Sequence, residues 1–229
     1  MTAENNSHTC TFCKRTFRKE STLLVHLCEP KRRYQERDDV GTQIGLQAYL
    51  RFYEVTQGSA RLKNFESFAD SSYYRAFVKF GRYCQSIKAI AVPRLIDYLV
   101  HKNIKLDHWT RDSVYTEFLQ QYIKLEHYQD AIARALTIAE DWQSETQTPA
   151  KDYLRYGNRN KLCYQVNSGK LSPWVIYNCE GGQQFLSELN QEQVQMIWSM
   201  IDTDVWQKKF IDYASDCEYV KQKLQSLGW

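Results

Sequence analysis

Several cysteines and a histidine near the N-terminus have the types and spacing of ligands for one metal ion. Cys10 and Cys13 are separated by two residues, so a tight turn can direct both thiolates to one centre. His26 follows after enough residues for a turn and a helix. Phe17 and Leu23 lie between these positions, at the spacing of the two core residues of a small metal-binding module. We predict a structural Zn²⁺ site, against the alternative that the two cysteines are ordinary reduced thiols.

The fourth ligand has two candidates. Residues 10–28 resemble the Cys2His2 zinc-finger family, which carries a second histidine three to five residues after the first. Here position 30 is Pro30, and the nearest donor is Cys28. Cys28 can complete the site if the chain leaves the helix after His26, and Pro30 favours this because proline disfavours helical geometry in the preceding residue. His8 is the second candidate. The predicted metal ligands are Cys10, Cys13, His26 and Cys28.

Basic residues surround this module. By analogy with fingers that read DNA, the helix positions facing base edges are Lys19, Thr22 and Val25, and only Lys19 offers a strong contact. We therefore expect phosphate contacts that position the protein without specifying sequence. Further cations follow the module directly and recur at helical spacing later in the chain. The predicted nucleic-acid-binding residues are Lys14, Arg15, Arg18, Lys19, Lys31, Arg32, Arg33, Arg75, Lys79 and Arg82.

The two halves of the chain differ in charge. Residues 1–105 contain 18 Lys and Arg against 10 Asp and Glu, whereas residues 106–229 contain 12 against 17. A basic half suits a polyanion such as DNA, and an acidic half suits a basic protein surface. The competing interpretation is that both halves are merely solvated surfaces.

Hydrophobic periodicity predicts a mainly all-α fold, with a multi-helical two-lobed body and a small N-terminal zinc-finger module. The many aromatic residues between positions 65 and 83 are expected in the core rather than as a platform for stacked bases. We predict a finger at 1–30, a basic, charged linker at 31–41, a basic helical lobe at 42–105 and an acidic helical lobe at 106–229.

Local signals refine this outline. Pro93 indicates a helix start, and Asn190 with Gln193 indicates another, as does Ser215 with Glu218. Periodicity predicts two further helices, over 111–126 and 128–145. Residues 146–172 are expected to be looser, because glycine, proline and asparagine interrupt them.

Composition limits the location of the protein. Hydrophobic residues make up 43% of the 229 positions, which is enough for a core, and no apolar run reaches the roughly 18 residues of a membrane span. The N-terminal segment is polar, unlike a signal peptide. Four cysteines scattered singly through the body do not suggest a disulfide framework. We expect no membrane association and an intracellular location, the host cytoplasm if the chain comes from a bacteriophage.

A longer stretch resembles a known family. Tyr49, the segment Phe68-Ala-Asp-Ser-Ser-Tyr-Tyr-Arg-Ala-Phe-Val-Lys-Phe-Gly-Arg-Tyr83, then Leu95–Val100 and Trp109 follow the order found in replicative-helicase loading proteins of T-even-type bacteriophages. The resemblance covers roughly residues 42–201. It implies an all-helical, two-lobed fold whose first lobe resembles an HMG box. It also implies binding to forked DNA, and contacts with the replicative helicase and the single-strand-binding protein.

We predict a DNA-binding replication accessory protein that binds forked or single-stranded DNA and recruits or loads a replicative helicase. The alternatives are a zinc-finger accessory of phage transcription or DNA packaging, and a structural virion or scaffold protein. We do not expect an enzyme, because the common phosphate-loop, metalloprotease and serine-hydrolase motifs are absent from the sequence. The carboxylate pairs Asp38 with Asp39 and Asp202 with Asp204 are the only candidates for a nuclease that we identified.

Overall fold

The computed structural model describes residues 7–58 and 63–229, and its fold is mainly α-helical, as predicted. The chain divides into two compact units, Met1–Val114 and Tyr115–Trp229. This division falls nine residues after the change in charge, inside one helix. Among the helices that the structure describes, none combines the length and the apolar character that crossing a membrane requires.

The N-terminal module of unit 1 is a small ββα unit. Strand β1, His8–Thr9, pairs antiparallel with β2, Thr16–Phe17, and α1, Glu20–Leu24, follows. No residue of α1 is buried, and Lys19 at its N-cap makes no side-chain capping hydrogen bond. Because a helix of this length is unstable alone in water, α1 needs another source of stability.

The rest of unit 1 is helical. The segment expected as a linker is largely a helix, because Pro30 lies in its first turn, where a missing N–H breaks no hydrogen bond. Pro30 therefore starts a new helix, and Glu29 before it is helical, so the end of α1 at Leu24 is not set by this proline. The elements are α2 (Glu29–Gln35), α3 (Val40–Gln57), α4 (Phe65–Ala69), α5 (Tyr74–Ser86), α6 (Val92–His101) and a 3-10 turn (Leu106–His108).

Helices α3 and α5 touch backbone to backbone. A Cβ added to Gly45 would lie 2.7 Å from the carbonyl oxygen of Phe77, and one added to Gly81 would lie 2.8 Å from the backbone nitrogen of Gly45 and closer still to the carbonyl oxygen of Gly41. Real Cβ atoms essentially never approach other atoms this closely. The three glycines therefore permit this crossing, which places α5 firmly on α3.

The core of unit 1 is aromatic. Phe68, Phe77 and Phe80 are fully buried, as predicted for the aromatic residues of this stretch, but Tyr73 is 56% exposed and lies outside the core. Trp109 is buried with the three phenylalanines, and its indole N–H donates to the carbonyl oxygen of Ile104 at 2.8 Å. Burying large rings supplies much of the stability of a small domain.

Unit 2 consists of further helices around a second core that includes Trp174, Trp206 and Phe185. Helix α7 begins in unit 1 and continues into unit 2, and α8 follows it, both close to their predicted ranges. The elements are α7 (Asp112–Leu125), α8 (Tyr128–Thr146), a 3-10 turn (Ala150–Asp152), α9 (Tyr153–Tyr156), α10 (Arg159–Asn167), α11 (Pro173–Ile176), α12 (Glu180–Ser187), α13 (Gln191–Ile201), α14 (Thr203–Asp212) and α15 (Ala214–Ser226).

Two local predictions in unit 2 are wrong and one is confirmed. Residues 146–172 contain helices, because Asn158 caps α10 by accepting from the backbone N–H of Lys161 rather than opening a loop. Ser215 does not cap α15, whose N-cap is Tyr213. Asn190, in contrast, forms the expected capping box at α13 with a glutamine three residues later.

Candidate metal centre and cationic groove

The four predicted metal ligands form one cluster. Their donor atoms all lie within 4.8 Å of one another, with 3.9 Å between the sulfur atoms of Cys10 and Cys28 and 3.2 Å between Cys13 Sγ and His26 Nε2. Neighbouring ligand atoms lie roughly 3.8 Å apart in a tetrahedral site with metal–sulfur bonds of about 2.3 Å. The cluster could therefore hold a four-coordinate metal ion. Cys28, and not His8, is its fourth member.

Local backbone geometry brings these side chains together. The N–H of Cys10 donates to the carbonyl oxygen of Arg15, and the N–H of Lys14 donates to that of Cys10, both at 2.9 Å. These bonds close the turn that carries the first two ligands. Helix α1 ends before His26, and Cys28 has an extended backbone, with φ −89° and ψ 163°. The predicted departure from helical geometry between these two ligands is confirmed.

The thiols in the cluster influence one another's ionisation. Hydrogen bonds from the backbone of Cys13 and Phe12 outweigh burial and lower the pKa of Cys10 to about 7. The backbone of Arg15 lowers the pKa of Cys13, but burial and the sulfur atoms of Cys28 and Cys10 raise it overall. Neighbouring thiolates repel one another. A bound cation would offset this repulsion and favour the thiolate forms that bind metal.

Removing the metal should expose the cluster cysteines selectively to alkylation. With a strong chelator, we expect iodoacetamide at pH 7.5 to modify Cys10, Cys13 and Cys28, and without it we expect all three to be protected. Burial raises the pKa of Cys84 to about 12 and that of Cys179 to about 11, so both stay unreactive in either state. Mass spectrometry of the peptides measures each site. Equal modification with and without chelator would contradict a metal in the cluster.

Helix α2 connects the metal-binding module to the rest of unit 1. Lys31 Nζ donates to the carbonyl oxygen of His26 at 3.1 Å. The ring of Tyr34 lies 5.4 Å from that of Phe12 in the module and 6.2 Å from that of Phe65 in α4, between centroids. The module is thus packed on α2, which is itself packed on α4.

A second set of predicted residues lines a groove between α2 and α5. Arg75, Lys79 and Arg82 are exposed along one face of α5. Glu29 pairs with Arg75 at 3.1 Å, and Glu36 pairs with Arg82 at 3.3 Å. The groove encloses ≈ 370 Å³ and is lined by Glu29, Arg32, Glu36, Tyr74, Arg75, Val78, Lys79 and Arg82.

The charges in this groove do not cancel. Its lining contains four cations and two anions, a net formal charge of +2. Burial would raise the pKa of Glu29, but hydrogen bonds from Arg75 and Arg33, with the charge of Arg32, lower it overall, so this carboxylate is ionised at neutral pH. The two glutamates hold the arginines in place and leave an excess of positive charge.

Other predicted cations have different surroundings. Arg33 is largely buried, donates to the carbonyl oxygen of Ala69 at 2.5 Å and lies over the ring of Tyr74, so its guanidinium is engaged internally. In the finger, Lys14 Nζ donates to a backbone carbonyl, and Arg15 lies over a phenylalanine ring. Arg18 and Lys19 are exposed and form no ion pair with any residue that the structure describes.

Sequence reasoning missed two acidic residues that line the groove. Glu29 and Glu36 are seven residues apart, and so are their partners Arg75 and Arg82. This equal spacing is visible in the sequence and could have suggested two helices lying side by side.

Comparison with protein-family models, curated proteins and solved structures finds no match. The resemblance to helicase-loading proteins therefore stays a prediction from the sequence.

Three of the four carboxylates considered for a nuclease have local partners in the structure. Asp39 caps α3 by accepting from the backbone N–H of Thr42 at 3.1 Å, and Asp202 caps α14 by accepting from that of Asp204 at the same distance. Asp38 pairs with Arg37 on the surface. Among the described residues, neither pair belongs to a metal-ligand cluster.

Proposed function

We propose that this protein is a DNA-binding replication accessory protein that binds forked or single-stranded DNA and recruits or loads a replicative helicase. The observation that carries the DNA-binding part is the cationic groove between α2 and α5. Two helices contribute exposed arginines and a lysine to one concave surface. Concave clusters of this charge attract the phosphate backbone of nucleic acids.

The arginines of the groove are suited to phosphate contacts. An arginine has five N–H donors in a fixed fork, and its pair with a glutamate uses only one or two of them. Arg75 and Arg82 therefore keep donors for phosphate oxygens while Glu29 and Glu36 fix their positions. Contacts of this kind bind DNA without reading its sequence.

The cluster of Cys10, Cys13, His26 and Cys28 is proposed to bind Zn²⁺. Three thiolates and one imidazole form a typical donor set for structural zinc, and no coordination position is left open for a substrate. Bound zinc would fix the turn of β1 and β2 against α1. The finger cations Lys14, Arg15, Arg18 and Lys19 would then extend the positive surface beside the groove.

The helicase part of the proposal rests on the sequence resemblance and on the acidic second half of the chain. A protein that binds a fork with one surface and a partner with another raises the effective concentration of the partner at the DNA. The partners proposed on this basis are a replicative helicase and a single-strand-binding protein, inside the host cell if the chain belongs to a bacteriophage.

DNA binding should depend on the groove. We expect the triple variant Arg75→Ala, Lys79→Ala, Arg82→Ala to bind forked DNA at least tenfold more weakly, with a salt slope smaller by roughly 2 to 3 because about three phosphate contacts are lost. Fluorescence anisotropy with forked, single-stranded and duplex DNA at several salt concentrations measures both quantities.

Two further variants make this experiment specific. Replacing Lys208, Lys221 and Lys223 of unit 2 with alanine removes the same charge and should leave affinity unchanged. The double variant Arg75→Lys, Arg82→Lys keeps the positive charge, and its affinity for DNA should fall only a few-fold. Equal losses in the two triple variants would refute the groove as the binding surface. Equal weak binding to all three DNAs would favour a transcription or packaging accessory, and no binding would favour a structural protein.

A further inference from the structure

Two of the cluster cysteines have their sulfur atoms close together. The four ligand atoms all lie within 4.8 Å, and the sulfur atoms of Cys10 and Cys28 are 3.9 Å apart. A disulfide requires these two atoms to approach to about 2.05 Å. Cys28 lies between α1 and α2, so its side chain can move towards Cys10 without breaking either helix. Cys13, in contrast, has its sulfur 3.2 Å from Nε2 of His26. Cys10 and Cys28 are therefore the pair that the structure favours for a disulfide.

The exposure of these two side chains differs. Cys28 is half-buried, so a small oxidant can reach it, whereas Cys10 is only 3% exposed. In a zinc site both are thiolates, the form of cysteine that acts as a nucleophile. The first oxidation is therefore expected at Cys28, and Cys10 is the thiolate that reacts next.

The cysteines outside the cluster are protected. Cys84, Cys163, Cys179 and Cys217 are all buried in the helical units. Burial raises the pKa of Cys84 to about 12 and that of Cys179 to about 11, and it also raises the pKa values of the other two. These four remain thiols at neutral pH, and a thiol is a much weaker nucleophile than a thiolate. Oxidation is thus selective for the cluster.

We propose that Cys10 and Cys28 are an oxidation site for hydrogen peroxide, at which formation of a disulfide expels the zinc ion and unfolds the finger. This inference rests on the zinc site of the proposed function and goes beyond it. Structural zinc sites use four ligands, so Cys13 and His26 alone should not retain the ion. Because α1 buries no residue, little else keeps the finger folded.

The reaction needs no reagent besides the peroxide and two protons. The Cys28 thiolate attacks the peroxide, so an S–O bond forms, the O–O bond breaks and hydroxide leaves. The Cys10 thiolate then attacks the sulfur of the resulting sulfenic acid, so the S–S bond forms, the S–O bond breaks and a second hydroxide leaves. Two protons convert the hydroxides to water. The cysteine pair loses two electrons, and the peroxide gains them.

The helical body should stay folded when the finger unfolds. Cys28 directly precedes Glu29, which pairs with Arg75 at 3.1 Å, and this contact does not involve the metal ligands. The disulfide also keeps the start of the finger attached to the beginning of α2. Oxidation is therefore expected to release residues 14–27 while α2 stays on α5.

Treating the zinc-loaded full chain with excess hydrogen peroxide tests this proposal. A zinc-sensitive dye should record stoichiometric release of zinc, and dithiothreitol with added zinc should restore the site. Digestion under non-reducing conditions with trypsin and chymotrypsin, followed by mass spectrometry, should show Cys10 linked to Cys28. Chymotrypsin cleaves after aromatic residues such as Phe12, which separates Cys10 from Cys13.

Alkylation distinguishes this oxidation from simple loss of the metal. After peroxide, iodoacetamide should modify Cys13 but neither Cys10 nor Cys28, whereas after a chelator it should modify all three. Limited proteolysis of the oxidised chain should cut within residues 14–27 and leave the helical body intact.

Cys28→His is the matched variant. It keeps four zinc ligands, in the Cys2His2 set of the finger family, but it cannot form the proposed disulfide. We expect it to bind zinc and to release it in peroxide roughly tenfold more slowly than the wild type, because an imidazole does not replace the reacting thiolate. Cys84→Ser keeps the whole cluster and should release zinc as fast as the wild type.

Several results would overturn the proposal. A zinc-loaded wild type that keeps its zinc in peroxide, or that joins Cys13 to Cys10 or Cys28, would refute it and leave the metal site standing. Equally fast release from Cys28→His and the wild type would exclude Cys28 as the reacting thiolate. A chain that binds no zinc before oxidation would refute the metal site together with this inference. If Cys28→His binds no zinc, the disulfide found in the wild type decides.

Discussion

Replacing Gly81 with alanine is expected to lower the free energy of unfolding of unit 1 by roughly 3 kcal/mol or more. An added methyl group is this destabilising when the surrounding atoms cannot move to make room for it. The new Cβ would lie 2.8 Å from the backbone nitrogen of Gly45 and closer to the carbonyl oxygen of Gly41. Both atoms belong to the backbone of α3, so no side chain can rotate away. The helices must separate, and Phe77 and Phe80 on α5 would lose packing with them.

Gly181→Ala is the matched control for this prediction. Its Cβ would lie 3.3 Å from Cγ of Arg155 and from Cβ of Leu154, contacts that need a shift of only a few tenths of an ångström. Alanine also favours the helix over glycine by up to about 1 kcal/mol, so we expect little net loss. Urea unfolding followed by circular dichroism measures both variants. Similar stability of Gly81→Ala and the wild type would mean that α3 and α5 do not touch as described.

The second large effect is expected at the metal cluster. Cys13→Ser should abolish stoichiometric zinc binding and unfold residues 8–28, while the helical body stays folded. Metal binding supplies about 10–16 kcal/mol to the folding of zinc-finger peptides, and this finger has few other sources of stability. Cys10 is its only fully buried hydrophobic side chain among the described residues, and α1 buries none.

Metal analysis and limited proteolysis measure these two consequences separately. Far-ultraviolet circular dichroism should change little, since α1 contributes only five helical residues. Cys84→Ser is the control, because Cys84 is buried in unit 1 away from the cluster. The Cys84→Ser variant should be less stable than the wild type but should still bind the metal. Full zinc content in Cys13→Ser would rule out Cys13 as a ligand.

Local patterns allowed much of this structure to be predicted. The cluster could be predicted because the spacing of its ligands fixes their geometry over a few residues. The apolar periodicity of the sequence predicted helices α7 and α8. The pair of Asn190 and Gln193 predicted the start of α13. Each of these features depends on neighbours in the chain.

Contacts between residues far apart in the sequence could not be predicted from such local patterns. The pairs of Glu29 with Arg75 and of Glu36 with Arg82 each join residues 46 positions apart. The close approach of Gly81 to α3 likewise depends on how two helices cross. The helix of residues 29–35 was missed because it has no buried residue and no clear apolar period, so its partners come only from that tertiary contact.

The two ion pairs between α2 and α5 also limit how the length of the chain can change. Glu29 and Glu36 are separated by two helical turns, as are their arginine partners. One residue inserted between them would rotate the following residues by about 100° and advance them by about 1.5 Å. Glu29 and Glu36 could then no longer face α5 at the same time. This segment therefore tolerates exchange of its exposed side chains far better than insertion or deletion, and the path from the metal ligands to the helical body has a fixed length.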